Sequence, residues 1–206
     1  MGWRSLDGER RVVTDAMRRG DHAIAQGRWS LALRHYGRAN HFAVKVARAA
    51  DGDQDRAVLG SVYYNLAELH TKDGGLAPAW LCALQACAVY APLDPSGARP
   101  GDVASLVSSA GSSLAEERIG LCADARSRYV LLSAGVVRQF GPQALGANVA
   151  DGALDGITNV FRVVDTIGEP AVRTFEELVR HGHRYTEADV DRTRRRVAQA
   201  RELIGA

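Results

Sequence analysis

The chain has 206 residues, of which 46% are hydrophobic and 24% are charged, and its formal net charge is +2. This length can bury a substantial core, and the hydrophobic content excludes a disordered tail. No apolar run reaches the roughly 20 residues that span a bilayer, and the first residues lack a hydrophobic signal region. We therefore expect a cytoplasmic protein with no membrane partner.

The charge and cysteine content narrow the function classes further. The small net charge does not demand a polyanionic partner, and the preference for arginine over lysine is typical of a GC-rich, bacterial genome. Cys82, Cys87 and Cys122 form an odd number without a CxxC pair, so neither a disulfide framework nor a zinc site is indicated. We interpret the three cysteines as small core residues and expect no cofactor.

Apolar residues recur at helical spacing in a series of segments, and breaks rich in glycine, aspartate and proline separate them. The predicted helices cover residues 7–21, 30–50, 54–72, 78–90, 102–114, 119–140, 143–166 (kinked or split), 169–180 and 186–204. Ser30 and Asp102 are predicted N-caps, and Thr186-x-x-Asp189 resembles a capping arrangement. Because no alternating strand pattern of convincing length occurs, the predicted fold class is all-α.

The segment 59–92 is the clearest structural unit in the sequence and is predicted to form a helical hairpin. The Asp73-Gly74-Gly75 run ends its first helix, and Pro78 suits the first turn of the second helix. Each helix carries one stripe of apolar or small residues at helical spacing. The two stripes are Tyr63, Leu66, Ala67 and His70, followed by Ala79, Ala83, Ala86 and Val89.

These stripes resemble the tetratricopeptide repeat, a family of stacked helical hairpins. Asn65-Leu66-Ala67 is particularly typical of the family, and Ala79 stands at its small position where two helices approach. An earlier hairpin is similar, with Gly20 at the small position. It continues with Gly27-Arg28-Trp29, Ala32, Tyr36 and Ala39 at the second-helix positions.

The resemblance covers residues 13–92 and departs from the family in two respects. Arg19 stands at an expected leucine and Ala83 at an expected aromatic residue, and Ala32 and Ala79 are 47 residues apart, against a family period of about 34. Weaker similarities to the repeat pattern around Ala123 and Ala171 indicate further hairpins over 102–181. We therefore predict a single all-α domain over 1–206, with two repeats at 13–92 and a capping helix at 186–204.

The resemblance implies a concave groove that binds a peptide or a partner helix and is lined by the first helix of each hairpin. The groove positions carried over from the family are Met17, Arg18, Asp21, Tyr64, Asn65, Glu68 and Lys72. Asn65 is the strongest candidate because an amide donates and accepts hydrogen bonds. The alternative is an ordinary solvated face, with Glu68 and Lys72 as a helix-surface pair. The family's asparagine clamp for a terminal carboxylate is not reproduced.

Catalytic, metal-binding and nucleic-acid-binding motifs would indicate a function other than peptide binding. His181-x-His183 lacks further ligands, and the segment 151–156 lacks the alternating oxygens of a calcium loop. No phosphate loop or nucleophile motif occurs. An arginine strip marks the final helix, although its apolar face and acidic first turn favour a solvated capping helix over a nucleic-acid arm. Its members are Arg192, Arg194, Arg195, Arg196 and Arg201.

The sequence predicts a non-catalytic adaptor or scaffold that binds a peptide or partner protein. The alternatives are a sensor or regulatory domain that binds a small molecule in the same concavity, and then a helical enzyme of unrecognised type. Self-association is left open. A deep apolar pocket would favour the sensor, whereas an open polar groove would favour the adaptor.

Overall fold

The computed structural model describes residues 3–50, 52–93, 113–141, 144, 163–181 and 184–205. These residues are almost entirely helical and contain no β-strand, so the all-α prediction is confirmed. The chain divides into two compact units, Met1–Tyr90 and Ala91–Ala206. The prediction of one domain over the whole chain stays a prediction, and the two units are described separately.

The first unit consists of two helical hairpins. Helix α1 (Trp3–Ala25) packs against α2 (Trp29–Ala50), and α3 (Asp53–Lys72) packs against α4 (Leu76–Tyr90). Helix α2 also packs against α3, which joins the hairpins around one apolar core. The predicted breaks at 51–53 and 73–76 are therefore confirmed.

Glycine forms the turn inside each hairpin. Gly27 and Gly74 have φ angles of +68° and +78°, a left-handed conformation that favours glycine after a helix. The predicted N-cap of α2 is wrong: the N–H of Ala32 donates to the carbonyl of Arg28, so Arg28 precedes the helix and Ser30 lies within it.

Tyrosine rings lie against glycines in both hairpins. A Cβ atom on Gly20 would be 2.5 Å from carbons of the Tyr36 ring, and one on Gly60 would be 2.4 Å from the Tyr90 ring. Glycine is therefore required for the observed approach of the helices. The predicted burial of Ala79 and Ala86 is confirmed, since both are 0% exposed; Ala32, Ala39 and Ala67 are also fully buried.

The second unit begins with a 3-10 turn (Ala91–Leu93) and contains α5 (Ser113–Phe140), a π-helical turn (Val164–Gly168), α6 (Glu169–His181) and α7 (Glu187–Ile204). Helices α5, α6 and α7 pack on one another around a shared core. Its central residues include Ile119, Ala123, Phe175, Leu178 and Val190.

The start of α7 confirms the predicted capping arrangement. The backbone N–H of Thr186 donates to Asp189 Oδ2 at 2.9 Å, which completes a capping box. The predicted cap at Asp102 and most of the helix expected over 143–166 lie outside the described residues. For the same reason, the further repeats predicted over 102–181 stay a prediction.

Among the described residues, one segment has the length and composition of a membrane span. It is Leu76–Leu93, which consists of helix α4 and the 3-10 turn. Such a composition is also typical of core helices in globular proteins. About a third of this segment (33%) is buried, including Trp80, Ala83 and Tyr90, which are at most 2% exposed. The cytoplasmic location stays a prediction.

Candidate functional site

Helix α3 presents most of the predicted groove residues. Lys72 is exposed, while Tyr64, Asn65 and Glu68 are half-buried. Asn65, Glu68 and Lys72 follow a spacing of three and four residues, which places them on one stripe of the helix. We call this stripe, together with Asp21 of α1, the α3 face.

A buried tyrosine of α2 holds one residue of the α3 face. Tyr36 of α2 is 1% exposed, and its hydroxyl donates a hydrogen bond to Asp21 Oδ1. Burial, followed by this hydrogen bond and the charges of Asp21 and Glu68, raises the pKa of Tyr36 well above its ordinary value. Asp21, which the sequence predicted as a groove residue, is therefore bonded to this hydroxyl, and the charge of Glu68 on α3, another predicted groove residue, also acts on it.

Lys72 lies at the end of α3 that is nearest to the start of α2. Its Nζ atom is 5.5 Å from the centroid of the Trp29 ring, within cation–π range. This contact positions an exposed ammonium group on the same stripe as Glu68. The α3 face thus carries carboxylates and a cation, which can pair with a polar peptide.

Asn65 uses part of its hydrogen-bonding capacity inside its own helix. Its Nδ2 atom donates to the carbonyl oxygen of Ser61 at 2.9 Å. An amide nitrogen carries two protons and the amide oxygen accepts up to two hydrogen bonds, so this contact occupies only one of the available interactions. The side chain is half-buried, so part of it remains accessible.

The structure separates Arg18 from the other predicted residues. Its side chain is 80% exposed and its Nη2 atom lies 2.8 Å from Asp15 Oδ1. Arg18 lines a different concavity, between α1 and α2, whereas Asp21 bonds to Tyr36.

Sequence reasoning missed the concavity beside Arg18. Two adjoining cavities of about 260 and 440 Å³ lie between α1 and α2 and share Arg19 and His35. We call them together the basic groove. It is lined by Arg11, Val12, Asp15, Ala16, Arg18, Arg19, His22, Ala23, Gln26, Arg28, Leu31, His35 and Arg38. One sequence feature points to it: α2 contains no acidic residue.

Four of the five arginines predicted as a strip in the final helix contact carboxylates of the second unit. Arg196 Nη1 lies 2.7 Å from Asp124 Oδ1, and Arg192 contacts the same oxygen at 3.3 Å. Arg194 pairs with Glu176, and Arg201 pairs with Asp165 and Glu169. These contacts attach α7 to its neighbours, which supports the interpretation as a packed final helix.

The described residues contain no group of three or more histidine, cysteine or acidic residues that could hold a metal ion. His183 and the segment 151–156, two sequence candidates, lie outside those residues. Burial raises the pKa of Cys82 to about 11, which disfavours the reactive thiolate at neutral pH.

No protein-family description, curated protein or solved structure matches this chain. Its fold alone therefore defines its class: an all-α protein whose helices pack against their neighbours, with two helical hairpins in the first unit. This arrangement is compatible with a helical repeat.

Proposed function

We propose that the chain is a tetratricopeptide-like, non-catalytic interaction module that binds a peptide segment of a partner protein on the α3 face. The observation that carries the proposal is the hydrogen bond that holds Asp21 of α1 on the buried hydroxyl of Tyr36, whose pKa is also raised by the charge of Glu68 on α3. A surface that gathers polar groups from successive hairpins offers several directed hydrogen bonds to one extended ligand.

The individual side chains support a peptide as the ligand. Lys72 provides an exposed cation and Asp21 an exposed carboxylate, which match charged side chains of opposite sign. Asn65 retains hydrogen-bonding capacity for a peptide backbone beyond its bond to Ser61. The small-molecule alternative is less well supported, because the two cavities in the first unit are lined mainly by polar and charged side chains.

The test begins with peptides selected from a random library displayed on phage and panned against the full chain. Fluorescence anisotropy then compares wild type with the double variant Asn65→Ala/Lys72→Ala. We expect the variant to bind at least about tenfold more weakly, which corresponds to roughly 1.4 kcal/mol. Its stability should fall by no more than about 1 kcal/mol, because the Lys72 contact is an exposed cation–π pair.

The matched control is Gln85→Ala/Lys45→Ala, which removes one amide and one lysine at exposed positions of α4 and α2. The control should bind selected peptides as wild type does. Equal affinity of the Asn65→Ala/Lys72→Ala variant and this control would move the peptide site away from the α3 face.

A further inference from the structure

The basic groove lies on a side of the first hairpin distinct from the α3 face. Arg10 contacts Asp55 of α3 at 2.8 Å and so marks the side of α1 toward α3. Arg11 and Arg18 belong to another stripe of α1, and His35 and Arg38 form the facing stripe of α2. The groove therefore runs along the hairpin and is formed by side chains from both helices.

Positive charge is concentrated in this groove. Its lining includes five arginines and a single carboxylate, Asp15, which leaves a formal excess of four positive charges, whereas the whole chain has a net charge of +2. Asp15 is shared, because Arg18 contacts one of its oxygens at 2.8 Å and Arg19 the other at 2.9 Å. One carboxylate cannot neutralise this set of arginines.

The pKa of Asp15 agrees with a positive local field. The hydrogen bond from Arg18, together with the charges of Arg19 and Arg38, holds the pKa of this carboxyl group below its ordinary value. The contrast with α7 is informative, since Arg194 and Arg196 of that helix have carboxylate partners on other helices. The uncompensated charge of the basic groove is therefore not a general consequence of an arginine-rich chain.

The shape and chemistry of the groove favour a helical protein ligand. Val12 and Leu31, which are half-buried, supply apolar surface among the charged residues, and the buried Ala16 and Ala23 lie beneath. The α1 side extends from Arg11 to Ala23, about 18 Å at 1.5 Å per residue, which is enough for three turns of a docked helix. Arg11 and Arg18 are separated by two turns, so a helix with carboxylates seven residues apart has the same spacing of about 10.5 Å.

We propose that the basic groove binds an acidic amphipathic helix of a partner protein, with its apolar stripe on Val12 and Leu31 and its carboxylates beside the groove arginines. A nucleic-acid strand fits less well, because single-strand sites combine positive charge with aromatic rings on which bases stack. No phenylalanine, tyrosine or tryptophan is among the residues that line these two cavities. The apolar floor also has no counterpart on a phosphate backbone.

The experiment uses the full chain and a fluorescent peptide of about 18 residues, long enough to fill the groove. The peptide carries a leucine stripe flanked by glutamates. A scrambled peptide of the same composition and single-stranded RNA and DNA oligonucleotides of equal charge serve as competing ligands. Fluorescence anisotropy at about 0.1 M salt, where surface charges act over about 10 Å, gives the dissociation constants.

Two charge-reversed proteins test the position of the site. Arg19→Glu/Arg38→Glu changes the groove, whereas Arg34→Glu/Arg48→Glu makes the same net charge change at exposed positions of α2 that do not line it. We expect the groove variant to bind the amphipathic peptide at least about tenfold more weakly than wild type and the control less than about threefold more weakly. The scrambled peptide should bind wild type at least about fivefold more weakly than the amphipathic peptide.

Circular dichroism checks that each variant is folded. If the groove variant unfolds, Arg11→Ala/Arg28→Ala removes two other lining charges without reversing any, and the same loss of at least tenfold is expected of it. The proposal is overturned if wild type does not bind the amphipathic peptide or binds the scrambled peptide with equal affinity. It is also overturned if the control variant loses as much affinity as the groove variant, or if either oligonucleotide binds more tightly than the amphipathic peptide. The Asn65→Ala/Lys72→Ala variant should bind the amphipathic peptide normally, so this result is separate from the test of the α3 face.

Discussion

Replacing Gly20 with alanine tests the close contact in the first hairpin. A Cβ atom on Gly20 would lie 2.5 Å from two carbons of the Tyr36 ring, whereas carbon atoms in contact prefer about 3.5 to 4.0 Å. The ring must therefore move by about 1 Å. Tyr36 is 1% exposed and bonded to Asp21, so this movement disturbs both the core and the hydrogen bond.

The expected size of the effect of Gly20→Ala follows from opposing contributions. Alanine favours a helix interior by about 1 kcal/mol relative to glycine. Overpacking costs about 1 to 3 kcal/mol, and loss of a hydrogen bond to a charged group costs a further 1.5 to 3 kcal/mol when it breaks fully. We expect a net destabilisation of about 1 to 3 kcal/mol, which lowers the melting temperature by about 2 to 12 °C in a chain of this size.

The matched control is Gly37→Ala, on α2. A Cβ atom there has no neighbour within 4 Å, so only the helix-forming gain of about 0.5 to 1 kcal/mol remains. Calorimetry and urea unfolding measure both variants, and Tyr36→Phe isolates the hydrogen bond from the ring contact. If Gly20→Ala proves as stable as Gly37→Ala, the packing argument is wrong.

Two further predictions concern a charge cluster and a thiol. Asp124→Asn should destabilise the second unit by about 1 to 3 kcal/mol in urea unfolding, because Arg196 is only 13% exposed and loses a charged partner. An effect no larger than that of the exposed control Glu187→Gln would contradict the structural role of this pair. Alkylation of Cys82 by iodoacetamide at pH 8 should be slow and should accelerate up to about pH 11, because burial raises its pKa to about 11 and only the thiolate reacts. Mass spectrometry measures the rate, and a rate equal to that of a free cysteine peptide at pH 8 would contradict the prediction.

The hairpin boundaries could be predicted because their causes are local. Gly74 follows α3 in the left-handed conformation and Pro78 lies in the first turn of α4, as the order of these residues in the sequence indicates. The capping box at Thr186 and Asp189 is equally local, since its partners are three residues apart. A short stretch of sequence contains all the information needed for each of these features.

The role of Gly20 depends on a residue in another helix and was only partly predictable. The sequence predicted a first helix that ends at Asp21, one residue after Gly20, whereas α1 continues to Ala25. Glycine costs a helix about 1 kcal/mol relative to alanine, and at this position the contact with the Tyr36 ring offsets that cost. Only the resemblance to a repeat family pointed to a close approach there, without indicating which ring fills the space.

The candidate surfaces were harder to predict because they depend on which helices become neighbours. Arg18 and Asp21 are close in sequence and were expected on one groove, whereas in the structure Arg18 lines the basic groove and Asp21 bonds to Tyr36. The basic groove was missed because its charges come from two helices. Within α1, Arg18 and Arg19 both pair with Asp15, so the sequence of this helix alone does not indicate an excess of positive charge.

The glycine–tyrosine contact occurs in both hairpins, but the residue bonded to the tyrosine differs between them. Tyr36 bonds to Asp21, 15 residues before it, and Tyr90 shares a hydrogen bond with Ser61, 29 residues before it. In each case the bonded residue directly follows the glycine, although the unequal separations prevent detection by a fixed repeat period. The serine is half-buried and neutral, whereas the aspartate is exposed and charged. The glycine–tyrosine contact therefore supports only the core in the second hairpin. In the first hairpin it also fixes the carboxylate of Asp21 at the surface where we expect a ligand to bind.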